Sequence, residues 1–394
     1  MITHIGWDIT SKCNFNCPYC GVYSKCEDLP TDMMIKIAKN IGNLGVKAVI
    51  IAGGEPFLRK DIFEILQVFK DYPLDVYLLT NGSLINDEAV KKLMEYSNVG
   101  IRLSLEFGSP QKYDRFHGVN GLFDRLSYAT NQLVAHGIET GINVPLFQEN
   151  IGEISQIIDY AIKHNCKFVR FVPILSIGRA KYFYQKPDIY AQALREIISQ
   201  VITRRELFAG LGFSPLPMRI EDFARNFVTP CNAGTQFLNV TPEGYIKLCP
   251  LLPSLGADLS AMELNNAVSV LSEISYELFQ VAMLKGKCKK CALKNLCRGG
   301  CPANKVSNGL SLYAEQPTCV IDLIEEALSD MWISPGVKEM LSEISQRMSM
   351  QQNTCFRSLP IWIYFNKSIV KMPGLGQKRS GANSNPGRTN PRWL

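Results

Sequence analysis

Histidine is scarce in this chain: there are four, His4, His117, His136 and His164, and none lies inside a cysteine cluster. Mixed cysteine and histidine zinc sites of the finger type are therefore disfavoured, since they interleave the two residue types at short spacing. Long apolar runs are missing too. No stretch approaches the ~18 residues a membrane span needs, and Met1 leads into a strand-like segment without a signal-peptide pattern. The expected address is the cytoplasm, with no membrane partner. Acidic residues are absent from one region: residues 366–394 hold Lys367, Lys371, Lys378, Arg379, Arg388 and Arg392 and no acid, which accounts for the whole net charge of +6. The rest of the chain is formally neutral, so no nucleic-acid role is expected. The tail is rich in Gly, Pro, Asn and Ser and reads as disordered and solvated, with a docking arm for an acidic partner as the alternative.

What the chain does have is 13 cysteines in 394 residues. In a reducing compartment, closely spaced thiols point to metal or catalysis more than to disulfides. Around them, strand and helix signals alternate over the first 175 residues: "ITHIGWDIT", "KAVIIAGGEP", "DVYLLTNG", "VGIRLSLE", "IETGINVP" and "KFVRFVPI" are apolar runs separated by five amphipathic segments. The first helix, "TDMMIKIAKNIGNLG", has Thr31 as its expected N-cap and Gly45 just past its end. Repeated βα units imply a parallel sheet, so the expected fold is α/β, a partial (β/α)6 TIM-like barrel, with a C-terminal cysteine-rich, metal-stapled domain. The expected boundaries are a barrel over 1–180, a helical connector over 181–227 with a helix near 187–207, and the cysteine-rich domain over 228–325, where periodic helices are few. A helical and apolar segment follows over 326–365, with helix signal across 319–350 and "LPIWIYF" at 359–365 as a strand or buried run, and then the 366–394 tail.

The unusual residues follow the strands. "CNFNCPYC" comes after the first, "GGEP" after the second and "TNG" after the third, while "SLE" and "GIN" sit on the fourth and fifth. In barrels of this type the carboxyl ends of the strands form the active face, so these motifs should converge on one mouth. Cys13, Cys17 and Cys20 have the spacing C-x3-C-x2-C, which can ligate three irons of a 4Fe-4S cube and leave the fourth open for an exogenous ligand. On its own the loop also suits a zinc knuckle, and a lone GGEP is commonly just a tight turn.

Taken together and in order, these motifs resemble the radical S-adenosylmethionine (SAM) superfamily, whose signature is C-x3-C-x2-C with an aromatic residue, here Tyr19, before the last cysteine. The resemblance implies that SAM chelates the open iron and is cleaved to methionine and a 5′-deoxyadenosyl radical. It further implies that Gly53, Gly54 and Glu55 receive the SAM ammonium, that Ser104 and Glu106 meet the ribose or carboxylate, and that Asn143 approaches the nucleoside.

A second system comprises Cys231, Gly244, Cys249, then Cys288-x2-Cys291-x5-Cys297-x3-Cys301, and Cys319. Alone, the middle run suits zinc as well as iron-sulfur. The seven-cysteine pattern is similar to the SPASM extension of radical SAM enzymes, which holds two auxiliary 4Fe-4S clusters, making three expected in all. The resemblance implies one auxiliary cluster on Cys288, Cys291, Cys297 and Cys319, and a second, nearer the active site, on Cys231, Cys249 and Cys301. Some members carry an extra cysteine where this chain has Arg225, so the second cluster is expected to have a vacancy unless Glu221, Asp222 or a more distant group fills it. Cys26, Cys166 and Cys355 are expected to be buried or incidental.

Enzymes of this architecture mostly modify peptides. The expected function is a maturase that oxidatively modifies a side chain or Cα of a peptide or protein, by crosslink or oxidation, fed by an electron donor such as flavodoxin or ferredoxin. The alternatives are the same radical machinery acting on a sugar, tetrapyrrole or other cofactor precursor, and a non-catalytic zinc protein. Twelve residues precede Cys13, so leader recognition is expected from a separate binding protein or from residues 320–394.

Overall fold

The computed structural model of the chain describes residues 1–21, 26–183, 189–203, 231–252, 256–278, 280–291, 294–317, 319, 322 and 361–364. The six apolar runs form strands β1 (His4–Asp8), β2 (Ala48–Ala52), β3 (Asp75–Thr80), β4 (Val99–Ser104), β5 (Glu139–Leu146) and β6 (Phe168–Pro173). Each pairs in parallel with the next. Val49, Ile51, Val76, Leu78, Leu103, Ile142 and Val144 are fully buried, as expected of strands covered on both faces.

Helices α1 (Thr31–Asn43), α2 (Ile62–Val68), α3 (Asp87–Leu93), α4 (Pro110–His117), α5 (Leu122–Ala135) and α6 (Ile154–Lys163) connect the strands. The sequence suggests five connecting helices; α4 occupies the stretch that reads as a loop. It opens on Pro110, which suits a first helical turn, and closes on Gly118 at φ 70°. Thr31 also departs from expectation. It is the first residue of α1 rather than its cap, and its hydroxyl donates to Asp61 Oδ2 at 2.7 Å. Gly45 does lie just past the helix, at φ 67°.

The sheet continues beyond the barrel strands. β7 (Phe237–Val240) adds to the free edge of β1 in parallel, with His4 opposite Phe237, and β8 (Tyr245–Lys247) and β9 (Gly256–Asp258) follow antiparallel. At the far edge β10 (Ile361–Tyr364) pairs antiparallel with β6. The order is β10-β6-β5-β4-β3-β2-β1-β7-β8-β9. A helix, α7 (Ile189–Thr203), lies in the expected connector. The cysteine-rich region holds a 15-residue helix, α8 (Leu264–Leu278), longer than its sparse periodicity suggests, which buries Leu264, Ala267, Leu271 and Ser275 along one stripe. Of the shorter helices α9 (Gly286–Lys290), α10 (Lys294–Cys297) and α11 (Pro302–Ser307), the first two contain Cys288 and Cys297, while Cys291 caps the end of α9 and Cys301 the start of α11. Most of the helical signal at 319–350, the 366–394 tail, Glu221 and Asp222 lie outside the described residues. No helix among the described residues is long and apolar enough to cross a membrane.

One buried ion pair ties the exit of β1 to the helices below it. Arg59 holds Asp61 through two bonds, Nε to Oδ1 at 2.8 Å and Nη2 to Oδ2 at 2.6 Å. Its remaining donors reach the carbonyls of Ile9 and Leu29, both at 3.1 Å, which bracket the first cysteine loop. The guanidinium and the Thr31 hydroxyl hold the Asp61 carboxyl below its usual range despite burial, which pulls the other way. Arg59→Met takes the cation from that carboxylate, leaving it the Thr31 hydroxyl, and removes a donor from each of two carbonyls, and should cost about 3 kcal/mol of stability. Urea unfolding of the variant at neutral pH measures it; an unchanged midpoint would show that the clamp does not hold the loop.

Candidate active site

The parallel register sets the site. Because β1 to β6 run the same way, Thr10–Cys20, Gly53–Glu55, Asn81–Ser83 and Ser104–Glu106 lie at or just beyond the carboxyl ends of their strands, and Asn143, inside the longer β5, is level with Ser104 at the end of β4. The turn after β2 is fastened to the loop after β1: Gly54 N donates to Thr10 O at 2.7 Å and Glu55 N to Lys12 O at 2.8 Å. A Cβ on Gly54 would lie 2.0 Å from Lys12 O, and one on Gly53, at φ 129°, 2.3 Å from Thr10 O. The two glycines are thus required by the backbone that leads into Cys13, a contact the sequence does not reveal.

Glu55 is completely buried. Its Oε1 accepts from Thr80 Oγ1 at 2.7 Å and Phe57 N at 3.1 Å, and its Oε2 from Asn81 N at 2.8 Å. Burial pushes its pKa up against those bonds. Three of a carboxylate's roughly four acceptor positions are therefore spent inside the protein. Asn81 in turn reaches the cysteine loop, donating from Nδ2 to Asn14 Oδ1 at 2.9 Å, while Asn14 donates to Ser83 Oγ at 2.8 Å. From the other side Arg179 N donates to Cys20 O at 3.0 Å, and its guanidinium bonds Asn16 Oδ1.

Beneath the loop lies a buried polar cluster. The Tyr19 hydroxyl donates to Glu106 Oε1, and His117 Nε2 donates to Glu106 Oε2 at 3.0 Å. Tyr19 stacks against Phe116 and Phe147, and Phe15 packs 4.6 Å from the His117 ring. Glu106, 1% exposed, is thereby committed to the chain's own groups. Ser104 and Asn143 pair in register across β4 and β5, and Asn143 Oδ1 is buried with no hydrogen-bond partner among the described residues. An orphaned buried acceptor is costly unless a donor arrives.

Cys13 is exposed, while Cys17 and Cys20 are partly buried. Burial, reinforced by the neighbouring Glu106, pushes the Cys17 thiol up to about 12, and burial also raises Cys13. Such thiols are weak nucleophiles at neutral pH, and they become thiolates only when a metal holds them. The second system falls into two groups. Burial pushes the Cys297 thiol up to about 11, with Cys319, Cys288 and Cys291 adding to it, and burial pushes Cys231 up to about 12, with Cys301 adding to it. Cys249 is raised by burial and then by Cys231 and Cys301. Among the described residues no three His, Cys, Asp or Glu side chains converge where a single ion would fit. A cube takes one thiolate per corner iron, so its ligands surround a volume rather than a point, and groups of four and three thiols suit it. Cys166 is buried as expected, its thiol pushed up to about 12.

No motif marks Asn14, Arg179 or His117 as part of the site; only "TNG" points toward Asn81.

Comparison with known proteins agrees with this geometry. Residues 7–161 match the radical SAM superfamily. The chain is 24% identical over 339 residues to AdoMet-dependent heme synthase of Methanosarcina barkeri, covering 80% of this chain and 95% of that one. It is 24% identical over 338 residues to PqqA peptide cyclase of Rhizobium meliloti, covering 82% and 88%. The fold matches Streptococcus suis SuiB, solved with its precursor peptide SuiA, at a TM-score of 0.64 and 18% identity over 80% of this chain and 75% of that one. With residues 7–161 matching the radical SAM superfamily, a parallel sheet of partial-barrel type and a cysteine-rich C-terminal region, the chain is an enzyme that carries a radical SAM domain.

Proposed function

We propose that the chain is a peptide or protein maturase, with Cys13, Cys17 and Cys20 holding the radical SAM cluster and the seven later thiols holding two auxiliary clusters. Together, the reduced cluster and SAM supply homolysis of the sulfonium bond, giving methionine and a 5′-deoxyadenosyl radical able to take hydrogen from an unactivated carbon. The protein's own residues do the positioning. The carbonyls of Gly53 and Gly54, with the acceptor position left on Glu55, receive the SAM ammonium. Asn143 Oδ1 accepts a hydroxyl of the nucleoside beside Ser104, which satisfies its orphaned oxygen. Tyr19, Glu106 and His117 act from below, fixing the loop that carries the thiols.

The observation that carries the substrate class is the likeness to a peptide cyclase across 82% of this chain, which takes in the cysteine-rich region as well as the barrel. The SuiB–SuiA complex, with the same fold, supports it. A flavodoxin or ferredoxin would supply the electron, and a separate leader-binding protein the peptide. A second reading, a cofactor precursor as substrate, is favoured by the heme synthase, 95% of whose length is matched.

Anaerobically reconstituted protein should contain about twelve irons, four for each of three cubes. It should form 5′-deoxyadenosine from SAM and dithionite. About four irons, or zinc in their place, would remove the auxiliary clusters and the main support for a maturase. Given an active enzyme, deuterium transfer from a labelled peptide to 5′-deoxyadenosine, compared with transfer from a labelled porphyrin precursor, separates the two substrates.

A further inference from the structure

One ammonium shares the interior with the seven later thiols. Lys305 lies one turn beyond Cys301 on α11, its amide donating to the Cys301 carbonyl at 3.3 Å. It is 1% exposed, a rare condition for lysine. Its Nζ donates to Leu312 O at 3.0 Å, and a Cβ built on Gly299 would lie 3.0 Å from that nitrogen. The cation therefore sits against the turn that joins Cys297 to Cys301. No carboxylate among the described residues pairs with it.

Burial lowers the Lys305 pKa, and ionised Cys288, Cys297 and Cys301 act the other way, favouring the ammonium. Cys297 belongs to the four-thiol group and Cys301 to the three-thiol group, so the turn against which this side chain sits joins the two. Iron-sulfur potentials respond to net charge and burial, and a fixed positive charge in a water-poor interior favours the reduced, more negative cluster.

We propose that Lys305 is a positioning residue shared by the two auxiliary clusters: a counter-cation that raises both midpoint potentials together and keeps an electron exchangeable between them. The proposal rests on the reading of these thiols as two 4Fe-4S sites.

The test is an EPR-monitored redox titration of reconstituted full-length protein, comparing wild type with Lys305→Met, Lys305→Gln and Lys305→Arg. Iron and sulfide are counted in each sample. At wild-type iron content, Lys305→Met should shift both auxiliary midpoints downward by a tenfold change in each reduction equilibrium, about 59 mV for one electron. The radical SAM cluster should stay in place and Lys305→Arg should restore both values. Lys305→Gln keeps a donor for the Leu312 carbonyl and lacks only the charge; it decides the matter if Lys305→Met does not assemble. Unchanged midpoints in Lys305→Gln would overturn the proposal, and movement of one midpoint alone would overturn the sharing. A wild-type protein with about four irons, the content of one cube, would instead remove the cluster reading on which the proposal stands, and the count tells the two failures apart.

Discussion

Cys17→Ala yields a protein that forms no 5′-deoxyadenosine, yet keeps about eight of about twelve irons, those of two cubes. Cys17 is the middle thiol of three on one loop, and its backbone carbonyl accepts from Cys20 N at 3.3 Å, so the loop turns around it. With one of three ligands gone, the remaining pair cannot hold a cube that already has one corner without a protein ligand. The loss is local. The later thiols lie within or beside β7–β9 and α9–α11, whereas the hydrogen bonds described for the first loop run to Gly54, Glu55, Asn81, Ser83 and Arg179. Iron and sulfide content together with 5′-deoxyadenosine yield measure both halves. Full cleavage by the variant would remove Cys17 from the site, and loss of all iron would show that the two halves load as one.

Gly54→Ala should be nearly as damaging although it removes no ligand. The added methyl would meet Lys12 O at 2.0 Å, Lys12 C at 2.5 Å and Ser11 C at 3.0 Å, all backbone atoms. No flexible side chain can yield, so the turn must leave the loop, breaking the bonds from Gly54 N to Thr10 O and from Glu55 N to Lys12 O. Overpacking of this kind costs about 1–3 kcal/mol, and each lost backbone bond adds about 1 kcal/mol. Because the displaced carbonyls are those assigned to the SAM ammonium, SAM affinity should fall at least tenfold, read by equilibrium binding alongside a melting curve. Gly152→Ala is the control: its Cβ meets nothing within 4 Å. Wild-type SAM affinity in Gly54→Ala would show that this turn does not contact SAM.

The barrel strands were legible because each is a short apolar run bounded by turn residues, and the β10 segment at 361–364 was legible for the same reason. The three-cysteine loop was legible because its chemistry is encoded in spacing. What stayed hidden depends on long-range approach. The pairing of β7 with β1 joins segments far apart in the chain, and nothing in "FLNV" announces its partner. Glu106 and Glu55 read as ligand contacts from the resemblance of their motifs; that they also accept from Tyr19, His117, Thr80 and Asn81 becomes visible only when the strands are side by side. Lys305, in "PANKVS", reads as an ordinary surface lysine, and only the fold of the cysteine turns closes over it.

The docking of β7 on β1 has a consequence for how the chain is made. Strand β1 has one edge covered by β2 soon after it is made, but its other edge waits for Phe237–Val240; even the nearby Thr3 hydroxyl meets Gln236 O 233 residues later. Throughout that stretch of synthesis an unpaired strand edge stays open to other nascent chains. Contacts so distant in sequence form slowly. The catalytic half therefore cannot finish folding ahead of the cysteine-rich half, and any delay in metallating the latter prolongs the exposure of the former.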